Sequence, residues 1–160
     1  MQLHITKNTG KPHLLVYQRD DGSNTWMKTD DFFVRHDLSH YALEKTLGYR
    51  SAFMGMLNNG MDVADFEDRA KRSQIPITAE AAWSENMANL FLMEIAQGEL
   101  DNFNQVLADS FIDMGTATPP VRLSPEQLTA VRAFLRQLLT DWKELPDGQT
   151  MILDLDLQTK

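Results

Sequence analysis

The chain has 160 residues, of which 42% are hydrophobic and 24% charged, and this composition predicts one globular domain over residues 1–160. It contains no cysteine, which excludes disulfides and thiolate metal sites, and no apolar run of about 18 residues, so we expect no membrane span. Its net charge of −8 repels phosphate backbones, so we expect no nucleic-acid partner.

The first thirty residues predict a β meander and no targeting segment. Residues 1–10 lack the basic start and apolar block of a signal peptide, so we expect a cytoplasmic protein. The segments LHIT, HLLVYQR and TWMK are rich in strand-forming residues, and the turn clusters NTGKP and DDGSN separate them. This pattern predicts three antiparallel strands joined by short turns.

The middle of the chain predicts helices. We expect a first helix from about Asp31 to Leu47, with capping oxygens at its start and Gly48 at its end. Apolar residues then recur at three- and four-residue steps in residues 79–97 and 103–114, as in amphipathic helices. The sequence SPEQ at 124–127 is a capping box, which predicts the start of a last helix.

A last strand completes the predicted fold. The segment TMILDLDL at 150–157 alternates apolar and polar residues and is placed to return to the meander. We therefore predict an α+β fold: a small antiparallel sheet, made of the N-terminal three-stranded meander and a C-terminal strand, packs against about four or five helices. The pattern of residues 61–76 does not decide between helix and loop.

The segment VRHDLSHYALEK on the first predicted helix carries two histidines four residues apart. On a helix His40 lies about 40° from His36, and Glu44 about 80° from His36, so the three share one face. Four apolar residues fall on or near the same stripe, which we expect to face the core: Phe32, Phe33, Leu43 and Leu47. Polar groups on such a stripe need partners, because an unpaired one costs about 1–3 kcal/mol.

Two histidines at this spacing can bind one metal ion, as in zinc helices of the His-Glu-x-x-His type. We predict a divalent metal ion, with zinc as one candidate, on His36 and His40. Glu44 lies about 12 Å along the axis from His36, so we do not expect one ion to contact both. The third ligand is expected from elsewhere, and four residues are open candidates: His4, His13, Asp154 and Asp156.

Asp37 and Glu44 are the predicted catalytic residues. Either carboxylate can orient a histidine or relay protons in metal-assisted hydrolysis. Asp37 is one methylene shorter than the glutamate of zinc peptidases, which weakens its case as a general base. The alternative is a non-catalytic interaction or regulatory protein, whose histidines are structural and bonded to these carboxylates or to backbone carbonyls. The partner, a small molecule or a protein, stays open, as does a homo-oligomer.

Residues 35–60, RHDLSHYALEKTLGYRSAFMGMLNNG, resemble the central part of a group of small bacterial proteins. That group carries a His-Asp-x-x-His-x-x-x-Glu stretch followed by Leu-Gly and a short glycine-rich helical segment. The matching positions are His36, Asp37, His40, Glu44, Leu47, Gly48, Gly55 and Gly60. No activity is established for the group, so the resemblance implies that the motif matters without naming its chemistry. The similarity to zinc-peptidase helices is looser, since Asp37 departs from their pattern and no downstream ligand motif follows.

Overall fold

The structure is a computed structural model that describes residues 1–113 and 121–158. Its strands are β1 (Gln2–Thr6), β2 (His13–Gln18), β3 (Asn24–Thr29) and β4 (Thr150–Asp154). They form one antiparallel sheet in the order β3-β2-β1-β4. The C-terminal strand joins the meander as predicted, and the structure shows that its partner is β1, which the sequence pattern does not specify. Leu3 and Leu15 point to the covered face of this sheet and are buried, because alternate residues of a strand face opposite sides.

The described residues also form seven helices, which confirms the α+β class. They are α1 (Asp31–Leu47), α2 (Phe53–Asn58), α3 (Val63–Glu67), α4 (Arg69–Arg72), α5 (Ala79–Gln97), α6 (Phe103–Asp113) and α7 (Pro125–Glu144). The number exceeds the expected four or five because the undecided segment 61–76 contains two very short helices, α3 and α4. Within the described ranges, no helix is long and apolar enough to cross a bilayer.

The helix α1 is the centre of the fold, and its bounds match the prediction. The Asp30 side chain accepts a hydrogen bond from the Phe33 amide at its start, and Gly48 ends it with a φ of 72°. All eight residues from Asp37 to Glu44 are buried, because the sheet, α5 and α7 pack around this part of the helix. A polar side chain in this stretch can therefore find partners only within the protein.

The first turn of α1 lies outside this packing. Phe32 is 60% exposed and Phe33 is 47% exposed, whereas Leu43 is fully buried. The expectation that both phenylalanines face the core is therefore wrong. Helical periodicity reports which residues share a face, but it does not report where along the helix the covering elements end.

The helix α2 lies close to the end of α1. A Cβ atom on Gly55 would come within 1.9 Å of the Arg50 carbonyl oxygen, so only glycine fits at this position. This approach brings the first turn of α2 against the buried part of α1, where the Met54 amide donates a hydrogen bond to the Glu44 carboxylate at 2.9 Å.

Candidate metal centre

Three side chains from two helices place possible metal ligands together: His36 and His40 of α1, and Glu85 of α5. Their ligand atoms all lie within 4.8 Å of one another. One oxygen of Glu85 lies 3.0 Å from His40 Nε2, and the other lies 3.4 Å from His36 Nε2. A single carboxylate therefore faces the same ring nitrogen of both histidines.

The second nitrogen of His40 is held by a buried network. His40 Nδ1 lies 3.1 Å from a carboxylate oxygen of Glu44 and 2.7 Å from the Ser84 hydroxyl oxygen. The Ser84 hydroxyl donates to that same Glu44 oxygen at 2.6 Å, so the proton between His40 and Ser84 belongs to the imidazole. Since Nδ1 carries a proton, the neutral form of His40 has its lone pair on Nε2, the atom that faces Glu85.

The second nitrogen of His36 also faces a carboxylate. His36 Nδ1 lies 3.4 Å from one oxygen of Asp37, and the Tyr17 hydroxyl donates a hydrogen bond to the other. Tyr17 is fully buried on β2, and burial next to Asp37 raises the pKa of its phenol well above 10. Tyr17 therefore stays protonated and holds the Asp37 carboxylate in place. Each histidine of the cluster thus has its own orienting carboxylate.

The cluster favours positive charge. Burial disfavours the charged form of His40, but hydrogen bonds and charges from Glu44 and Glu85 outweigh burial and raise the pKa of His40 to about 10. The pKa of His36 is also raised, because the hydrogen bonds of Asp37 and Glu85 outweigh its partial burial. The pKa of Glu85 is lowered, since the two histidines outweigh the effect of its desolvation. Without a metal ion, the proton on His40 gives the ring a positive charge, which pairs with the negative charges of Glu44 and Glu85.

The cluster is closed on one side and open on the other. The side chain of His40 is 1% exposed and that of His36 is 16% exposed, whereas that of Glu85 is 49% exposed. The exposed Phe33 lies beside the cluster, with its ring 6.4 Å from the ring of His36. Solvent therefore reaches the cluster from the side of Glu85.

The open candidates for the third ligand lie elsewhere. His4 and Asp154 both bond to the same glutamine on β1, and His13 packs against an indole ring. Asp156 accepts a backbone N–H from two residues further along the chain. Sequence reasoning did not find Glu85. Its only signal in the sequence is that it follows Ser84, which lies on the buried side of an amphipathic helix. The sequence does not show that α5 packs against α1, which is what brings Glu85 to the histidines.

Replacing Tyr17 with phenylalanine tests the support of Asp37. The change removes the only hydroxyl donor to the buried Asp37 carboxylate among the described residues, so we expect the free energy of unfolding to fall by about 1.5–3 kcal/mol. Urea denaturation measures this loss. Tyr49→Phe is the matched control, because the Tyr49 hydroxyl makes no hydrogen bond within residues 1–113 and 121–158, and we expect a loss below about 0.5 kcal/mol. Equal losses in the two variants would show that the Tyr17–Asp37 contact has no special weight.

No protein-family model, no curated protein and no solved structure matches this chain. The resemblance to the group of small bacterial proteins therefore rests on residues 35–60 alone. The function must be inferred from the geometry of the cluster itself.

Proposed function

We propose that the protein binds one divalent metal ion through His36, His40 and Glu85, and that the bound ion assists hydrolysis. The observation that carries this proposal is the convergence of two Nε2 atoms on one carboxylate, while each Nδ1 atom faces a separate buried carboxylate. Metal-bound histidines usually donate their other ring N–H to a carboxylate or carbonyl, which fixes the ring and raises its basicity. Asp37 and Glu44 stand in this position.

The spacing of the ligand atoms fits a small ion. Tetrahedral zinc with ligand bonds of 2.0–2.1 Å separates neighbouring ligand atoms by roughly 3.3 Å. The two nitrogen–oxygen distances across the cluster are 3.0 and 3.4 Å. An ion of this size needs the protons of the histidines to leave and the side chains to move closer together, because the two nitrogens face different oxygens of Glu85 and the ligand atoms are up to 4.8 Å apart. Two imidazoles and a carboxylate also suit iron and nickel, so zinc is the first metal to test among several.

The proposed reaction class follows from the open side of the cluster. Three protein ligands leave a position for water or substrate, and a divalent ion there supplies Lewis-acid activation of that group. We assign Asp37 and Glu44 positioning roles, because both are buried and contact the histidines rather than the exposed side. We place the protein in the cytoplasm, and we propose neither nucleic acid nor membrane as a partner.

A non-catalytic interaction or regulatory protein is the second candidate, and one observation favours it. Every buried side-chain nitrogen and oxygen among the described residues already has a hydrogen-bond partner. His40 in its charged form is paired at both nitrogens, with Glu44 and Glu85. In this alternative the cluster is a structural ion-pair network that joins α1 to α5, and a proton takes the place of the metal.

Metal binding separates the two candidates. We expect metal-stripped protein to take up about one equivalent of zinc, and the double variant His36→Ala/His40→Ala to take up none, because two of three ligands are lost. Glu85→Gln should weaken binding at least about tenfold. Isothermal titration calorimetry and elemental analysis measure both. At a free zinc concentration of 100 Kd, the unfolding free energy should rise by about 2.7 kcal/mol.

His4→Ala is the matched control, since His4 lies on the sheet and its side chain bonds only to Gln2 within the described residues. It should bind zinc as the unchanged protein does. A protein that takes up no zinc, nickel, manganese or iron, and unfolds at the same temperature with metal or chelator, would contradict the metal site and leave the structural network as the function of the histidines.

A further inference from the structure

A cleft of about 570 Å³ lies on another side of α1. Its walls are the first two turns of α1, the last two turns of α7, Ile95 of α5 and Lys7 in the loop after β1. On the helical projection Arg35, which lines the cleft, lies about 100° from His36. The volume is in the range of small-molecule sites, roughly 300–1,000 Å³. None of the three residues of the candidate metal centre lines the cleft, so the two are separate sites.

The cleft is positively charged on an acidic protein. The whole chain has 15 lysines and arginines against 23 acidic residues. The lining of the cleft reverses this balance, with the cationic residues Lys7, Arg35, Arg136 and Lys143 against the single acid Asp31. The Asp31 carboxylate accepts a hydrogen bond from the Trp142 indole at 2.8 Å, so one of its oxygens is already engaged. Such a lining attracts an anion.

Two of the four cations are available to a ligand. The Lys7 ammonium donates to the last carbonyls of α7, and the Arg136 guanidinium pairs with Glu99 at 2.6 Å. The side chains of Arg35 and Lys143 have neither a hydrogen bond nor an ion pair with any described residue. Arg35 is only partly exposed and its side chain lines the cleft.

We propose that this cleft binds a small phosphate monoester. The dianionic phosphate group balances the two free cations, and the guanidinium of Arg35 offers paired N–H donors that match two phosphate oxygens. The Thr140 hydroxyl adds a third donor at the same wall. The apolar side chains of Ile95 and Leu139 line the remaining space and suit the organic part of the ligand. This site does not depend on the proposed metal function.

Titration with phenyl phosphate tests the proposal. The full chain is first stripped of metal on a chelating resin, so that phosphate cannot bind through an ion on the histidines. We expect calorimetry to show one site for phenyl phosphate, and weaker binding of inorganic phosphate, which lacks the ring. Arg35→Gln and Lys143→Gln should each weaken binding about tenfold, because each removes one charged hydrogen-bond donor. The affinity should also fall as salt rises.

Lys28→Gln is the matched control, since it removes an exposed lysine of β3 that does not line the cleft, and the affinity of this variant should equal that of the unchanged protein. His36→Ala/His40→Ala should also bind phenyl phosphate normally, so failure of the metal site and failure of this site give different results. No binding at millimolar phenyl phosphate, or binding that neither Arg35→Gln nor Lys143→Gln changes, overturns the proposal. Because Lys143 is exposed, its variant stays informative if Arg35→Gln fails to fold.

Discussion

Replacing Glu44 with alanine should destabilise the protein by about 3–5 kcal/mol, as for other buried ion pairs that lose one partner. Glu44 is fully buried and accepts hydrogen bonds from three donors. They are the Met54 amide at 2.9 Å, the Ser84 hydroxyl at 2.6 Å and His40 Nδ1 at 3.1 Å. Alanine removes the acceptor of all three donors. The cationic imidazole of His40 then keeps one carboxylate partner, Glu85, on the exposed side of the cluster.

Urea denaturation and thermal melting measure this loss. A loss of this size should lower the melting temperature by about 10 °C in a protein of 160 residues. Glu44→Gln should lower the free energy of unfolding by less than Glu44→Ala does. The glutamine side chain removes the negative charge, but its amide oxygen still accepts a hydrogen bond. Glu67→Ala is the control, since Glu67 is exposed on α3 and makes no side-chain hydrogen bond with the described residues. If Glu44→Ala costs less than about 1 kcal/mol, Glu44 does not hold α1, α2 and α5 together as the contacts indicate.

The fold was predictable because its signals are local. The turn clusters lie next to the strands that they join, so the β meander could be located from the sequence. The capping side chain of Asp30 and the positive φ of Gly48 lie directly at the ends of α1, and its bounds were predicted correctly. Two short helices between residues 61 and 76 could not be predicted, because four or five residues are too few for a helical period to show.

The candidate site was predictable only along one helix. The shared face of His36 and His40 follows from their spacing, and the same arithmetic argued against Glu44 as a ligand to the ion of His36. The structure places Glu44 at Nδ1 of His40, where it can orient the ring. Glu85 stands 45 residues after His40, on α5. Its approach depends on how α5 packs against α1, and no local pattern carries that information.

The cleft, like Glu85, could not be predicted from a local sequence pattern. Its cations come from the loop after β1, from α1 and from α7, and each one looks like an ordinary surface residue in the sequence. Only the packing of α1 against α7 brings Arg35 and Lys143 to one cavity. A chain with a net charge of −8 argues against a phosphate backbone as a partner, but it does not argue against one local site for a small anion.

The metal-free protein should lose stability as the pH rises from 6.5 to 9.5. The pKa of His40 is about 10 in the folded protein, where Glu44 and Glu85 outweigh its burial, and about 6.5 in the unfolded chain. The folded state therefore keeps a proton that the unfolded chain releases in this range. The stabilisation is complete below pH 6.5 and is lost as the pH approaches 10, with a loss of roughly 3 kcal/mol by pH 9.5.

Urea midpoints at half-unit pH steps measure this dependence in protein stripped of metal. Tyr17 does not interfere, since its pKa lies well above 10 and its contribution changes only at higher pH. Glu85→Gln should make the slope shallower, because it removes one of the two carboxylates that keep His40 charged, whereas Glu67→Gln should leave the slope unchanged. If the free energy of unfolding stays constant from pH 6.5 to 9.5, His40 is neutral in the folded protein, and Glu44 and Glu85 do not hold a proton on its ring.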